Sequence, residues 1–443
     1  MRLRNVIVGA VALGTLAACG GGSDDDGSGS GSGSTDKTGT GGDAAGQEAE
    51  QDDAPAAPAT QLTVPAAYDT GRGWETALPP GAAPLVLPGA GAVALFDETS
   101  GTDGRFTVYD AATGEVLWSS AALEPVGESA SLEAFATTVN GEDYLVAWSA
   151  GTSGAGVIDR GDELVVLDIF AADGSGDAVE PLHHVEVPGS GEAAPGGAGL
   201  MLELEEDIVV GVDPATGVTT EYDEDALEPP PTCKDCDPGG DIVALTANGP
   251  LVDDSYAYEG FWVPGGWAGE DVAPREAGPD ADASVTPVGD GLVIAEWSRS
   301  DGQTIRSVLD SASGTTAATA LCPEPDGSAA GAEHTAMSAN GRYLVHGVLV
   351  FDLEEGTGHC FEATPDANAV QFSAVTDAGV AFGVAEVMTE DSWGGTPTPV
   401  QLDIASGEVA ETAPEAVFPV ADLGGAGLFT ADDEMLVAYL HAG

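Results

Sequence analysis

The chain has 443 residues, with 75 Asp and Glu against 11 Lys and Arg, giving a formal net charge of −64. Phosphate recognition needs clustered Lys and Arg, so this composition excludes nucleic acid as a partner and disfavours anionic lipid headgroups. Like charge in such excess keeps molecules apart and self-repels unless salt screens it, which fits either a salt-rich habitat or an ordinary acidic exported protein.

In chain order, the first feature is a basic start, Arg2 and Arg4, followed by an apolar run over residues 6–17 that is too short to span a membrane. It ends in Leu16-Ala17-Ala18-Cys19 and then glycines. This pattern resembles the lipobox of bacterial lipoproteins. The resemblance implies cleavage between Ala18 and Cys19, and lipidation of Cys19 with at least two acyl chains, enough for stable anchoring. Residues 1–18 are then a signal peptide, and the protein is expected on the extracytoplasmic face of the cell membrane, held to the bilayer through Cys19.

Residues 19–60 are mostly Gly, Ser, Asp, Glu, Ala and Pro, with no aromatics. Such a segment cannot bury enough surface to offset its ordering entropy, so it reads as a tether. A flexible coil of about 40 residues reaches roughly 35 Å root-mean-square, and carboxylate repulsion extends it further. The acidic run Asp24 to Asp26 reads as solvated linker.

From residue 61 onward the pattern is all-β. Short runs rich in branched and aromatic residues, such as 106–109, 163–167, 291–295 and 342–346, end in Gly, Asp or Pro. One turn recurs. It appears as Asp110 to Gly114, Asp213 to Gly217, Asp310 to Gly314 and Asp403 to Gly407, degenerate at Asp352 to Gly356, with a looser copy that follows Asp168 and ends at Asp173-Gly174. The Asp and Ser/Thr side chains suit local backbone bonding, and Gly accepts positive φ. Successive copies lie about 42 to 58 residues apart, except for a doubled interval between Asp213 and Asp310 that holds one unit without the signature. Units of that length with four strands mark a β-propeller.

The complete pattern, Asp110-x-x-Thr113-Gly114 with Trp118 beyond it, resembles the blade motif of PQQ-like (quinoprotein-type) propeller repeats. The chain stops where another such turn is due, and the missing piece stands at the front as Asp69-Thr70-Gly71-Arg72-Gly73-Trp74. An N-terminal strand is therefore expected to complete the C-terminal blade, giving eight blades, or seven if the unit without the signature is an insertion. Trp74 and Trp118 are expected to pack between blades. Enzymes of the resembled family hold quinone and calcium with a vicinal cysteine pair, which this chain lacks. No cofactor is expected on that basis, while calcium stays compatible with Asp280, Asp282 and Ser284, which have alternate-oxygen spacing.

Four further cysteines in an exported chain point to disulfides. The favoured pairs are Cys233–Cys236, a clasp in a proline-rich loop, and Cys322–Cys360, a tie between neighbouring blades. Catalytic spacings are missing: no His-Glu-x-x-His, no Gly-x-Ser-x-Gly and no phosphate loop occurs. His183 and His184 are adjacent and face opposite ways on a strand. The aromatic stretch containing Tyr256, Tyr258, Trp262 and Trp267 reads either as a ligand-stacking rim or as a core strand with a packed loop. The resulting expectation is a non-catalytic binding or assembly scaffold with a protein or glycan partner at the cell surface. The competing class is a cell-surface enzyme, either a hydrolase or lyase acting on glycans or esters, or a quinoprotein.

Overall fold

The computed structural model describes residues 57–442, apart from positions 100–102, 128–129, 155–160, 206, 234–235, 237, 254–259, 279–281, 324–333, 388–395 and 433. Cys19 and the expected tether therefore lie outside the described residues. Within them the chain is almost wholly strand, with one short 3-10 turn, Glu224–Ala226, and one helical turn, Gly269–Val272. No helix among the described residues is long and apolar enough to cross a membrane.

The strands sort into eight consecutive antiparallel units. They occupy residues 85–120, 133–188, 191–223, 241–262, 283–322, 335–360 and 370–411, and the eighth joins residues 421–441 to Tyr68–Ala77. Seven units have four antiparallel strands, and the unit at 241–262 has three among the described residues; a parallel bridge joins the fifth and sixth into one eight-stranded sheet, and Gly176–Val179 adds in parallel to the first. That unit fills the doubled interval between the Asp213 and Asp310 turns. In the eighth unit the N-terminal strand Tyr68–Ala77 is hydrogen-bonded to the C-terminal strand Met435–His441, with Tyr68 opposite His441 and Trp74 opposite Ala438. The first and last strands among the described residues thus share one sheet.

Eight apolar clusters bridge consecutive units. Leu145 and Phe170 of the second unit meet Phe106 and Trp118 of the first, and Val185 meets Leu200 in the next junction. The series runs on through Val209 with Trp262, Phe261 with Trp297, Val308 with Phe351, Val345 with Phe372, and Phe382 with Phe429. It returns to its origin where Leu428 and Leu436 of the last unit pack on Val93 and Leu95 of the first. Sheets stacked face to face in a closed series form a β-propeller. Closure also leaves no unit with an unpacked face.

This packing explains the sequence pattern. Middle strands are covered on both faces, so Tyr343–His346 and Leu349–Asp352 are buried at every position and read as continuous apolar runs. Outer strands are covered on one face or neither. His183–Pro188 alternates, and Glu408–Glu411 is fully exposed. Acidic side chains on these outer edges, such as Glu186, Glu408 and Glu411, oppose pairing with a second copy.

The packed chain begins slightly ahead of the expected start at residue 61. Pro58 is buried, the Thr60 N–H donates to Glu75 at 2.8 Å, and the Tyr439 hydroxyl donates to the Thr60 carbonyl at 2.8 Å. Leu62 and Val64 then pack on the cluster of the seventh and eighth units. The cause is that Tyr439 needs a partner for its hydroxyl at the sheet end, and the incoming chain supplies it.

Candidate functional site

The recurring turn is built as its residue types dictate. In the first copy the Asp110 Oδ1 accepts the Thr113 N–H at 2.8 Å and the Thr113 hydroxyl at 2.9 Å, and the Gly114 N–H closes the turn on the Asp110 carbonyl at 2.9 Å. Asp310 with Ser313 and Asp403 with Ser406 repeat it. The Ser406 bonds hold the Asp403 carboxyl below its ordinary range. The degenerate copy lacks a Ser or Thr, and Arg342 compensates with two bonds to Asp352, at 3.0 and 2.8 Å. That pairing lowers the Asp352 pKa.

Every turn but the degenerate one at Asp352 is also a socket for a ring from the preceding unit. Trp74 donates its indole N–H to the Ala111 carbonyl at 2.9 Å and lies on Gly114. Gly114 has φ +73°, and a Cβ there would stand 2.5 Å from the Trp74 ring, so glycine is required on both counts. Trp118 repeats the contact on the Ala172 carbonyl and Gly174, and Trp267 on the Ser311 carbonyl and Gly314. His183 takes the same place with Nε2 at 2.9 Å from the Ala215 oxygen, and His359 rests on Gly407. Trp74 and Trp118 therefore lie between units, as their motif implies. His183, Trp267 and His359 play the same part without a sequence pattern that announces it.

Two of the four aromatic rim candidates are corrected. Trp262 is 0% and Trp267 is 7% exposed. Both belong to cores between units, because the strand Phe261–Trp262 is sandwiched by its neighbours. Neither offers a stacking face to a ligand. Tyr256 and Tyr258 lie outside the described residues, as does Asp280 of the calcium candidate. Asp282 and Ser284 are exposed.

The cysteines pair as Cys233–Cys236 and Cys322–Cys360, with Cα separations of 5.6 and 5.2 Å. His184 faces away from His183 and bonds the Asp168 carboxylate at 2.7 Å, which raises its pKa. A second carboxylate–imidazole pair closes the ring. Asp422 Oδ2 accepts the Tyr68 hydroxyl at 2.8 Å and meets His441 Nε2 at 2.7 Å, and its side chain is fully buried. The Asp422 bond raises the His441 pKa, while burial raises that of Tyr68 beyond its ordinary range.

At the end of the ring opposite the Asp turns, a cavity of about 340 Å³ opens beside the inner strands of the first two units. Its walls are the 79–83 connection, Leu85, Phe96 and Ala134, and Asp97 and Glu98 stand exposed at its edge. Apolar wall residues beside two carboxylates suit a cationic group with an apolar stem.

No family model and no curated protein matches the chain. Among solved structures, BamB from Moraxella catarrhalis is 14% identical with a TM-score of 0.34, over 83% of this chain and 98% of that one. The Cps50 (Swd1) β-propeller domain of Myceliophteria thermophila is 10% identical with a TM-score of 0.35, over 82% and 98%. An uncharacterized protein from Listeria monocytogenes is 8% identical with a TM-score of 0.38, over 80% and 90%. At such identities and scores the likeness carries no argument, and the propeller assignment rests on the strand order and the closed series of cores.

Proposed function

We propose that the chain is a lipoprotein, tethered outside the cell membrane through Cys19, whose propeller of eight blades is a non-catalytic binding scaffold for a basic protein segment. Each antiparallel unit is taken as one blade. The observation that carries the reading is the cavity beside the first two units, lined by Phe96, the proline-rich 79–83 connection, Asp97 and Glu98. On a chain of net charge −64, attraction concentrates cations at such a mouth and speeds their encounter. A ring closed on itself holds that mouth rigid, and rigid presentation lowers the entropic cost of binding. The lipobox resemblance supports the location.

The test places a photoreactive residue at Ala83, inside the mouth, or at Val218, which is 61% exposed on the third unit, in the full chain in its own host. The account expects one basic protein crosslinked from position 83 and not from 218. Asp97→Asn with Glu98→Gln, or added salt, should weaken that capture. Equal capture from both positions, or capture indifferent to salt, contradicts it. In the same host Cys19→Ser should move the protein from the membrane to the soluble fraction. Retention on the membrane would remove the lipid anchor from the reading.

A further inference from the structure

The disulfide Cys322–Cys360 joins the fifth and sixth units, and a third group of ligand type stands against it. Glu362 lies two residues beyond Cys360, with its side chain only 10% exposed. Its Oε1 meets Arg306 Nη2 at 2.7 Å, and the Arg306 Nε donates to Glu296 at 2.6 Å. Its Oε2 is buried with no hydrogen-bond partner among the described residues. A buried carboxylate oxygen left unpartnered is costly, and burial accordingly raises the Glu362 pKa. Both sulfurs and a Glu362 oxygen lie within 4.8 Å of one another, the one such group found among the described residues.

We propose that this disulfide masks a zinc site: once the bond is opened, Cys322 Sγ, Cys360 Sγ and Glu362 Oε2 bind one Zn²⁺, with the fourth position left to water. Opening is thiol–disulfide exchange with a dithiol. Two electrons pass from the dithiol, which closes into its own disulfide, and Cys322 and Cys360 each gain a proton as thiols. Zinc binding then releases both protons, since the thiolate is the ligand. Zinc–sulfur bonds of about 2.3 Å and zinc–oxygen bonds of about 2.0–2.2 Å set tetrahedral ligand atoms roughly 3.5–4 Å apart, so the two sulfurs must move apart once the bond opens, and the three groups already lie close enough to converge on one ion. The strands that carry the cysteines, Thr316–Cys322 and Thr357–Cys360, are also joined by a parallel bridge at Thr319 and Thr357. Their register therefore does not depend on the covalent bond. Two thiolates and one carboxylate outweigh the charge of zinc by one unit, and Arg306, shared with Glu296, sits on Oε1 and leaves Oε2 to the metal.

The test uses the full chain carrying Cys19→Ser, Cys233→Ser and Cys236→Ser, so that no other thiol contributes. It is reduced with dithiothreitol, desalted without oxygen and titrated with Zn²⁺ alone. The reduced protein should keep its circular dichroism and take up one zinc per chain, and the oxidised protein none. Cobalt in place of zinc should give a thiolate-to-metal charge-transfer band that Cys322→Ser abolishes. Glu362→Gln should weaken zinc at least about tenfold, the lower bound of what even outer-shell partners contribute, with the melting transition retained. If Cys322→Ser does not fold, Glu362→Gln decides. Unfolding on reduction, absence of stoichiometric zinc in the folded reduced protein, or unchanged affinity in Glu362→Gln overturns the proposal.

Discussion

At the scale of single residues, the ring depends on side chains that reach from one unit into the turn of the next. Trp118 is the most buried of them, 1% exposed, with its N–H on the Ala172 carbonyl. Trp118→Ala removes a buried indole between two units and should destabilise the protein by about 3–5 kcal/mol in denaturant unfolding. A loss below about 1 kcal/mol would mean that the socket is not structural. A pH effect belongs to the closure pair. His441 has its pKa raised above the ordinary 6.5 by the Asp422 bond, with Asp377 adding attraction, and Tyr68 shares the same carboxylate. A raised folded-state pKa stabilises fully below the unfolded value, and that contribution is lost as pH rises through the folded one. The stability difference between wild type and His441→Gln should therefore be larger near about pH 5.5 than near about pH 8.5, as measured by urea unfolding at each pH. A difference that grows with pH would contradict the assigned pair. The Asp, Thr and Gly of each turn and the two motif tryptophans were legible in the sequence because local bonding fixes their types and spacing. His183, Trp267 and His359 were not, because a socket needs only a flat ring at the right height and the connection to it varies in length.

At the scale of elements, the strands were legible as short branched and aromatic runs ended by turn residues, including the fully buried Tyr343–His346, and the recurring turn set their period. The unit between the Asp213 and Asp310 turns was legible only as a gap of the right size. It has no Asp turn, and it packs through Phe261, Trp262 and Trp267 instead. That same burial is why the aromatic stretch misleads as a ligand rim: composition cannot separate an indole on a surface from one sandwiched between sheets. The cavity at the mouth was not legible at all, since it forms where the 79–83 connection meets Ala134 of the next unit. The disulfides make different contributions. Cys322–Cys360 closes a separation of 38 residues and Cys233–Cys236 one of 3. Chain entropy then assigns about 4 kcal/mol to the first and about 2 kcal/mol to the second. Cys322→Ala with Cys360→Ala should lower the unfolding midpoint more than Cys233→Ala with Cys236→Ala. The reverse order would show that the proline-rich clasp, and not the tie between units, carries the load.

At the scale of the whole molecule, the account rests on closure. Eight cores pass the chain from unit to unit, and the strand Tyr68–Ala77 returns it to its beginning by pairing with Met435–His441. The acidic surface keeps neighbouring copies apart and turns attraction toward cations, which is the behaviour proposed for the mouth. Hydrogen exchange on the full chain tests closure most directly. If the ring is closed as described, the amides of Tyr68–Ala77 that face Met435–His441 should exchange as slowly as those of the central strand Ala426–Ala431, all opening together. Fast exchange in Tyr68–Ala77 while Ala426–Ala431 stays protected would contradict the closed ring.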